Sequence, residues 1–340
     1  MALPPPLSQG PIYHPTLSIW KRLTLWPKLH FTRAFAKIFV SMMISPYVRG
    51  RASLPTFTKT YPIHSSLTHR IFIPPTYKSG DPPLPLYLNV HGGGFACCVP
   101  AIDDEFCSYF SSKHNILVIS LDYSKAPKAT FPQPINELTD VVTSILEDES
   151  LPFDRSKVAI GGFSAGGCCS LAVPQAPSLQ GKIQGVCAFY PICGFVTPPS
   201  VAIAARPSYA TKDVLENLGP LFNYAYISPG TDLCDPRLSV TYADRKMLPK
   251  KICMVGCELD MLCYDAEFMA ERLAGKERVE GETLWEKDGV RWEKIMGVGH
   301  GFEMSGGHLQ RDKVKREKLM VIGRKMYDDA AEWLFREVYH

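Results

Sequence analysis

The sequence predicts an α/β fold: a mostly parallel central sheet with helices on both faces and a helical cap above it. Three observations predict it. Short apolar runs rich in β-branched residues alternate with stretches of helical spacing. Glycine-bearing segments at 91–94, 161–167 and 297–301 each follow such a run. A Pro- and Gly-rich stretch, 195–248, interrupts the alternation once.

Taken in order, residues 1–14 are proline-rich, and 16–48 carry apolar positions at helical spacing (Ile19, Leu23, Phe31, Phe35, Ile38, Phe39). Pro27 should break that helix. Strands are expected at Arg70–Ile73, Leu86–Val90, Ile116–Leu121, Val158–Ile160, Val186–Tyr190, Ile252–Val255 and Trp292–Ile295. Helices are expected at Ile135–Ile145, Tyr264–Leu273 and Lys313–Val338. The interruption at 195–248 reads as an insertion above the sheet with one helix near Thr211–Leu218. With residues 1–50 it would form a lid over a main domain of residues 51–340.

Composition narrows the function. With 46% hydrophobic and 21% charged residues among 340, the chain can bury a large core, which excludes wholesale disorder. No apolar run approaches the ~18 residues a membrane-spanning helix needs; the longest, 38–48, contains Pro46. Eleven cysteines without zinc-finger spacing read as free thiols in a reducing compartment, and with no secretory signal visible the expected location is cytoplasmic. The net charge of +3 hides an asymmetry: residues 1–80 hold ten Lys and Arg and no acid, leaving 27 basic and 34 acidic residues elsewhere. That quarter could pack on the acidic remainder, or be a transit peptide. It could also make a peripheral membrane contact through residues 16–48, where Trp20, Lys21, Arg22, Trp26, Lys28, Phe31, Arg33, Phe35 and Lys37 mix aromatic with basic groups. Basic residues spread so widely, with no recognised motif, do not indicate nucleic acid.

The chemistry sits after the strands, where catalytic groups of such sheets gather. Gly162-Phe163-Ser164-Ala165-Gly166 fits a nucleophile elbow, a sharp strand-to-helix turn whose glycines let neighbouring chain come close. A serine hydroxyl needs a base. His300, on a glycine-flanked loop after the last expected strand, is the best of nine histidines, with His91 its competitor. An acid must hold the imidazole tautomer. Asp260, directly after a strand, fits better than Asp265, which reads as a helix N-terminal charge. His91-Gly92-Gly93-Gly94 lets backbone N–H groups face the site without side-chain obstruction, so Gly93 and Gly94, with Ala165, are the candidate oxyanion donors.

With these residues the chain resembles the hormone-sensitive-lipase-like branch of the α/β-hydrolase superfamily over roughly residues 70–335. His91–Phe95 is similar to its HGGGF segment, 122–127 to DYRLAP, and Gly162–Gly167 to GDSAGG; Asp235-Pro236 resembles a short DP segment near the end of its cap. Ser164, Asp260 and His300 fall in the family's triad order. The chain departs from the family at Phe163 (usually Asp), at Ser124 and Lys125 (usually Arg-Leu) and at Lys128 (often Glu). A subset of the family has lost the histidine and become a hormone receptor; this chain keeps His300.

The resemblance implies a serine esterase with no cofactor and no metal, acting on a small-molecule ester as a monomer or homodimer. Phe195, Tyr209, Leu221, Phe222, Tyr224 and Tyr226 in the lid either favour an apolar substrate or form the lid's own core. Two alternatives stand beside the general esterase: a dedicated biosynthetic hydrolase for one secondary-metabolite ester, lactone or thioester, and a non-catalytic small-molecule binding protein on the same scaffold. Phe163 could narrow the acyl site or fill space behind the elbow.

Overall fold

Strands buried on both faces must read as continuous apolar runs, and this sheet shows why the runs were visible. The computed structural model describes residues 11–14, 19–43, 53–303, 310 and 312–340. The expectations for 1–10, for 16–18 and 44–48, and for the side chains of Ile19, Trp20, Lys21, Arg22 and Phe39 lie outside the described residues. The strands are β1 (Phe57–Lys59), β2 (His69–Phe72), β3 (Leu84–Val90), β4 (Leu117–Leu121), β5 (Phe153–Phe163), β6 (Gly185–Phe189), β7 (Lys251–Cys257), β8 (Leu284–Lys287) and β9 (Val290–Ile295). They form one sheet in the order β1-β2-β4-β3-β5-β6-β7-β9-β8. The six strands from β4 to β9 in that order are parallel. The pairs β1–β2, β2–β4 and β8–β9 are antiparallel. Every residue of β4 and β6 is buried.

The helices are α1 (Ile19–Met43), α2 (Asp104–His114), α3 (Gln133–Leu146), α4 (Ala165–Ala172), α5 (Pro199–Ala204), α6 (Leu215–Tyr226), α7 (Cys263–Leu273) and α8 (Lys313–Glu337). One core gathers apolar side chains of α3, α4, α6 and α7, with Leu29 of α1. The other, across the sheet, is built from α2 and α8 around Phe106, Phe110 and Trp333. The parallel strands therefore deliver their carboxyl ends to a rim where α1 and α6 pack together.

The structure corrects three expectations. Pro27 does not break α1, which runs through it for 25 residues. The insertion holds two helices, not one. Its main helix starts at Leu215 rather than 211, because Asp213 and Glu216 form a reciprocal capping box. The Asp213 carboxylate accepts from Leu215 N–H at 2.8 Å, and the Glu216 carboxylate from Asp213 N–H at 2.9 Å. The edge strands β1 and β8 and the helix α2 complete elements that the sequence pattern did not reveal. Most residues of β1 and β8 are exposed, so they lack the apolar run that marks a buried strand.

Candidate active site

At the end of β5 the chain turns into α4 through Ser164, whose φ of 55° and ψ of −115° lie in a strained region costing of order 1–3 kcal/mol. Two glycines make the turn feasible. A Cβ on Gly162 would stand 2.2 Å from the Val90 carbonyl oxygen, and one on Gly166 would stand 1.9 Å from the same atom. Only glycine lets the end of β3 pack against both arms of the elbow. The Ser164 N–H donates to Phe189 O at 2.9 Å, which fixes the turn to β6.

His300 follows β9 and reaches both predicted partners. Its Nδ1 lies 2.7 Å from Asp260 Oδ2, and its Nε2 lies 2.9 Å from Ser164 Oγ. A carboxylate only accepts, so the proton sits on Nδ1, and Nε2 presents its lone pair to the Ser164 hydroxyl. Asp260 is buried directly after β7, and its other oxygen accepts from Leu262 N–H at 2.9 Å. Burial disfavours a charged His300. The Asp260 carboxylate outweighs it, helped by Asp213 and Glu303, and the net result is a pKa above the ordinary histidine value. Tyr190 packs edge-on against the imidazole with ring centroids 4.9 Å apart. Its hydroxyl donates to Glu303, a buried carboxyl whose pKa burial pushes up.

The glycine loop after β3 curls back through Gly93 (φ 114°) and Gly94 (φ 60°). Gly93 O accepts from Ala96 and Cys97 at 3.2 and 2.9 Å. Among the described residues no acceptor takes the N–H of Gly93, Gly94 or Ala165. Ala165 opens α4, where the first N–H groups have no partner within the helix. Phe222 of α6 lies directly over Gly94: a Cβ there would come within 2.3 Å of its ring.

His91, the competing histidine, takes a structural place instead. It is fully buried, stacks on Tyr123 at 4.6 Å, and donates from Nδ1 to Gly92 O at 2.7 Å. Burial, with Lys125 nearby, lowers its pKa to about 4, so it is neutral. Gly92 is held close to the elbow, where a Cβ would stand 2.9 Å from Phe163 O. Asp265 points elsewhere, accepting from Thr197 Oγ1 at 2.8 Å. Phe163 turns away from the elbow into the α2–α8 core, stacked on Phe189 at 4.8 Å and edge-on to Phe106 at 5.0 Å. It fills space behind the elbow. The apolar and aromatic residues of 195–226 divide: Leu221 and Tyr226 are core, Tyr209 is exposed, and Phe195, Phe222 and Tyr224 are half-buried, Phe195 beside Phe95 of the glycine loop.

Sequence reasoning missed a strap between the insertion and the loop bearing Asp260. Asp213 Oδ2 accepts from Met261 N–H at 3.0 Å. Arg206 Nε donates to Leu259 O at 2.8 Å, while its Nη1 pairs with Glu216 at 3.1 Å. The Tyr209 hydroxyl donates to Glu258 at 2.7 Å, and the other Glu258 oxygen accepts from Gly297 N–H at 2.7 Å. The one sequence signal was the Asp213-x-x-Glu216 spacing of a capping box. Among the described residues, no group of three or more His, Cys, Asp or Glu side chains could hold a metal ion.

A family model described as alpha/beta hydrolase fold matches residues 87–303. Neutral cholesterol ester hydrolase 1 of Pongo abelii is 30% identical over 132 residues, 36% of this chain and 32% of that protein. Lipase 2 of Moraxella sp. (strain TA144) is 27% identical over 260 residues, 66% of this chain and 55% of that protein. The chain thus matches less than two thirds of the length of either relative. Among solved structures, the Pyrobaculum calidifontis esterase superposes with a TM-score of 0.70 at 22% identity, covering 94% of this chain and 98% of that one.

Proposed function

The chain belongs to the α/β-hydrolase fold family, in its hormone-sensitive-lipase-like branch, and from that premise we propose that it is a serine carboxylesterase acting on esters of apolar small molecules. The observation that carries this reading is the continuous hydrogen-bonded chain Ser164–His300–Asp260, beside three backbone N–H groups with no acceptor among the described residues.

Ser164 Oγ attacks the ester carbonyl while His300 Nε2 takes its proton, and Asp260 stabilises the imidazolium that forms. The N–H groups of Gly93, Gly94 and Ala165 hold the developing oxyanion. His300 then returns the proton to the departing alcohol. Water, deprotonated by the same nitrogen, releases the acid from the acyl-enzyme. The sequence needs neither metal nor organic cofactor. An apolar substrate is favoured by the half-buried rings of Phe195 and Phe222 around the glycine loop. The names of the relatives, a cholesterol ester hydrolase and a lipase, point the same way. The eleven free thiols support a reducing, cytoplasmic setting.

The strap from Arg206 and Asp213 favours a second reading, a dedicated hydrolase with one substrate, because a cap tied to the acid loop tolerates less variety. Initial rates on p-nitrophenyl acetate, butyrate and octanoate, for wild type and Ser164→Ala, separate the readings. A general esterase turns over rapidly and loses roughly 10³–10⁶ in kcat in the variant. A folded wild type no faster than Ser164→Ala on all three esters refutes the general esterase.

A further inference from the structure

The helix α1 has two faces with opposite chemistry. Its inner side is ordinary core: Leu29 and Val40 are buried, Leu25 and Ala36 pack on the main core, and Arg33 Nε donates to Ala96 O at 3.3 Å. Its outer side should be polar and is not. Phe31, Phe35, Ile38 and Met42, spaced i, i+4, i+7, i+11, form one stripe, and each is more than 60% exposed. Single exposed apolar residues are ordinary, but a contiguous stripe of four large ones marks an interaction surface. Lys28 and Lys37, both exposed, stand on its two flanks, and α1 contains no acid. Nor does any residue from 1 to 80, against ten Lys and Arg.

We propose that this outer face of α1 docks on an anionic lipid surface. Charge complementarity selects that occupant. A second copy of the chain would bring an equally basic, acid-free α1 against this one across a two-fold contact. A lipid interface instead takes the apolar stripe among its acyl chains and the flanking lysines at its phosphates. No described helix is long and apolar enough to cross a membrane, so the contact is peripheral. Because Arg33 ties the inner side to the glycine loop, docking would hold Gly93 and Gly94 about one helix diameter, ~10 Å, from the lipid. That consequence for substrate supply rests on the esterase reading; the docking itself does not.

The test is co-sedimentation of the full chain with vesicles of phosphatidylcholine, with and without phosphatidylserine. The variants are Phe31→Ser/Phe35→Ser/Ile38→Ser and, separately, Lys28→Gln/Lys37→Gln. Thermal unfolding and hydrolysis of soluble p-nitrophenyl butyrate serve as controls that both should leave unchanged. Wild type should bind phosphatidylserine vesicles at least about tenfold more tightly than neutral ones, with release by about 0.5 M salt. The serine variant should lose about tenfold or more of that binding, and the glutamine variant its salt-sensitive part. Failure of wild type to bind anionic vesicles, or equal binding by the serine variant, overturns the proposal. So does a wild-type dimer that the serine variant converts to monomer, since the stripe would then be a self-interface.

Discussion

Replacing Asp213 tests whether the segment 195–248 controls the chemistry proposed for Ser164 and His300. The carboxylate is nearly buried and serves two N–H groups, capping α6 at Leu215 and holding Met261 beside Asp260. Asp213→Ala removes the cap, worth about 0.5–2 kcal/mol. It also leaves the Met261 N–H without its acceptor, a further ~1–3 kcal/mol where water cannot replace it. The expected loss is therefore roughly 1.5–5 kcal/mol in urea unfolding. Asp213→Asn keeps one acceptor and removes the charge, so its loss should be smaller. Both variants withdraw a negative charge that raises the pKa of His300, while Asp260 and Glu303 remain. In the proposed mechanism the neutral imidazole is the base, so the acid limb of kcat/KM against pH should start above the ordinary histidine value of about 6.5 in wild type and move down in both variants. The sign carries over to stability. A raised folded-state value stabilises the protein below the unfolded value, and that contribution disappears as pH rises through the folded one. The variants should therefore lose more stability relative to wild type in acid than in alkali. An unmoved acid limb together with an unfolding loss below about 1 kcal/mol would falsify the idea that the strap reaches His300.

Gly94→Ala should destabilise by about 1–2 kcal/mol from its left-handed backbone alone, and displacement of its N–H should lower kcat on p-nitrophenyl butyrate by about 10²–10³. In a Phe222→Ala background the steric part should vanish; identical losses in both backgrounds would mean Phe222 does not press on the loop. Phe163→Ala should cost about 3–5 kcal/mol in urea unfolding through the cavity it leaves between Phe189 and Phe106. Acyl-length preference should stay as in wild type, and a changed preference would place the ring at the acyl site after all.

The parts legible in the sequence were those written in short, local strings. Gly162 to Gly166 encodes a turn whose glycines are demanded by one carbonyl, Val90 O, and the constraint appears within five residues. Asp260 was singled out because it comes just after an apolar strand, and His300 because it lies on a glycine-flanked loop after the last one; β7 and β9 are neighbours in the sheet. What the sequence hid is long-range and polar. Arg206 meets Leu259 across 53 residues, and Asp213 meets Met261 across 48. Nothing in either segment announces the other. Phe163 was undecidable for a related reason: which face of the sheet its ring occupies depends on Phe106 and Tyr327 arriving from α2 and α8.

The strap changes how this site should be understood. A cap is ordinarily pictured as shaping the substrate's surroundings while the domain below supplies the triad. In this chain the same insertion sets Phe222 over Gly94 and Asp213 beneath Met261. Between residues 213 and 222 lie the capping box and the first two turns of α6, with Pro220 inside the helix. A movement of α6 as one body, its first turn included, would shift the bond to Met261, next to Asp260. On the proposed mechanism, α6 thus joins the space around Phe222 to the surroundings of Asp260 and His300. Substitutions that enlarge the space near Phe222 by moving α6 should lower the His300 pKa with it, whereas truncation of the Phe222 side chain alone should not.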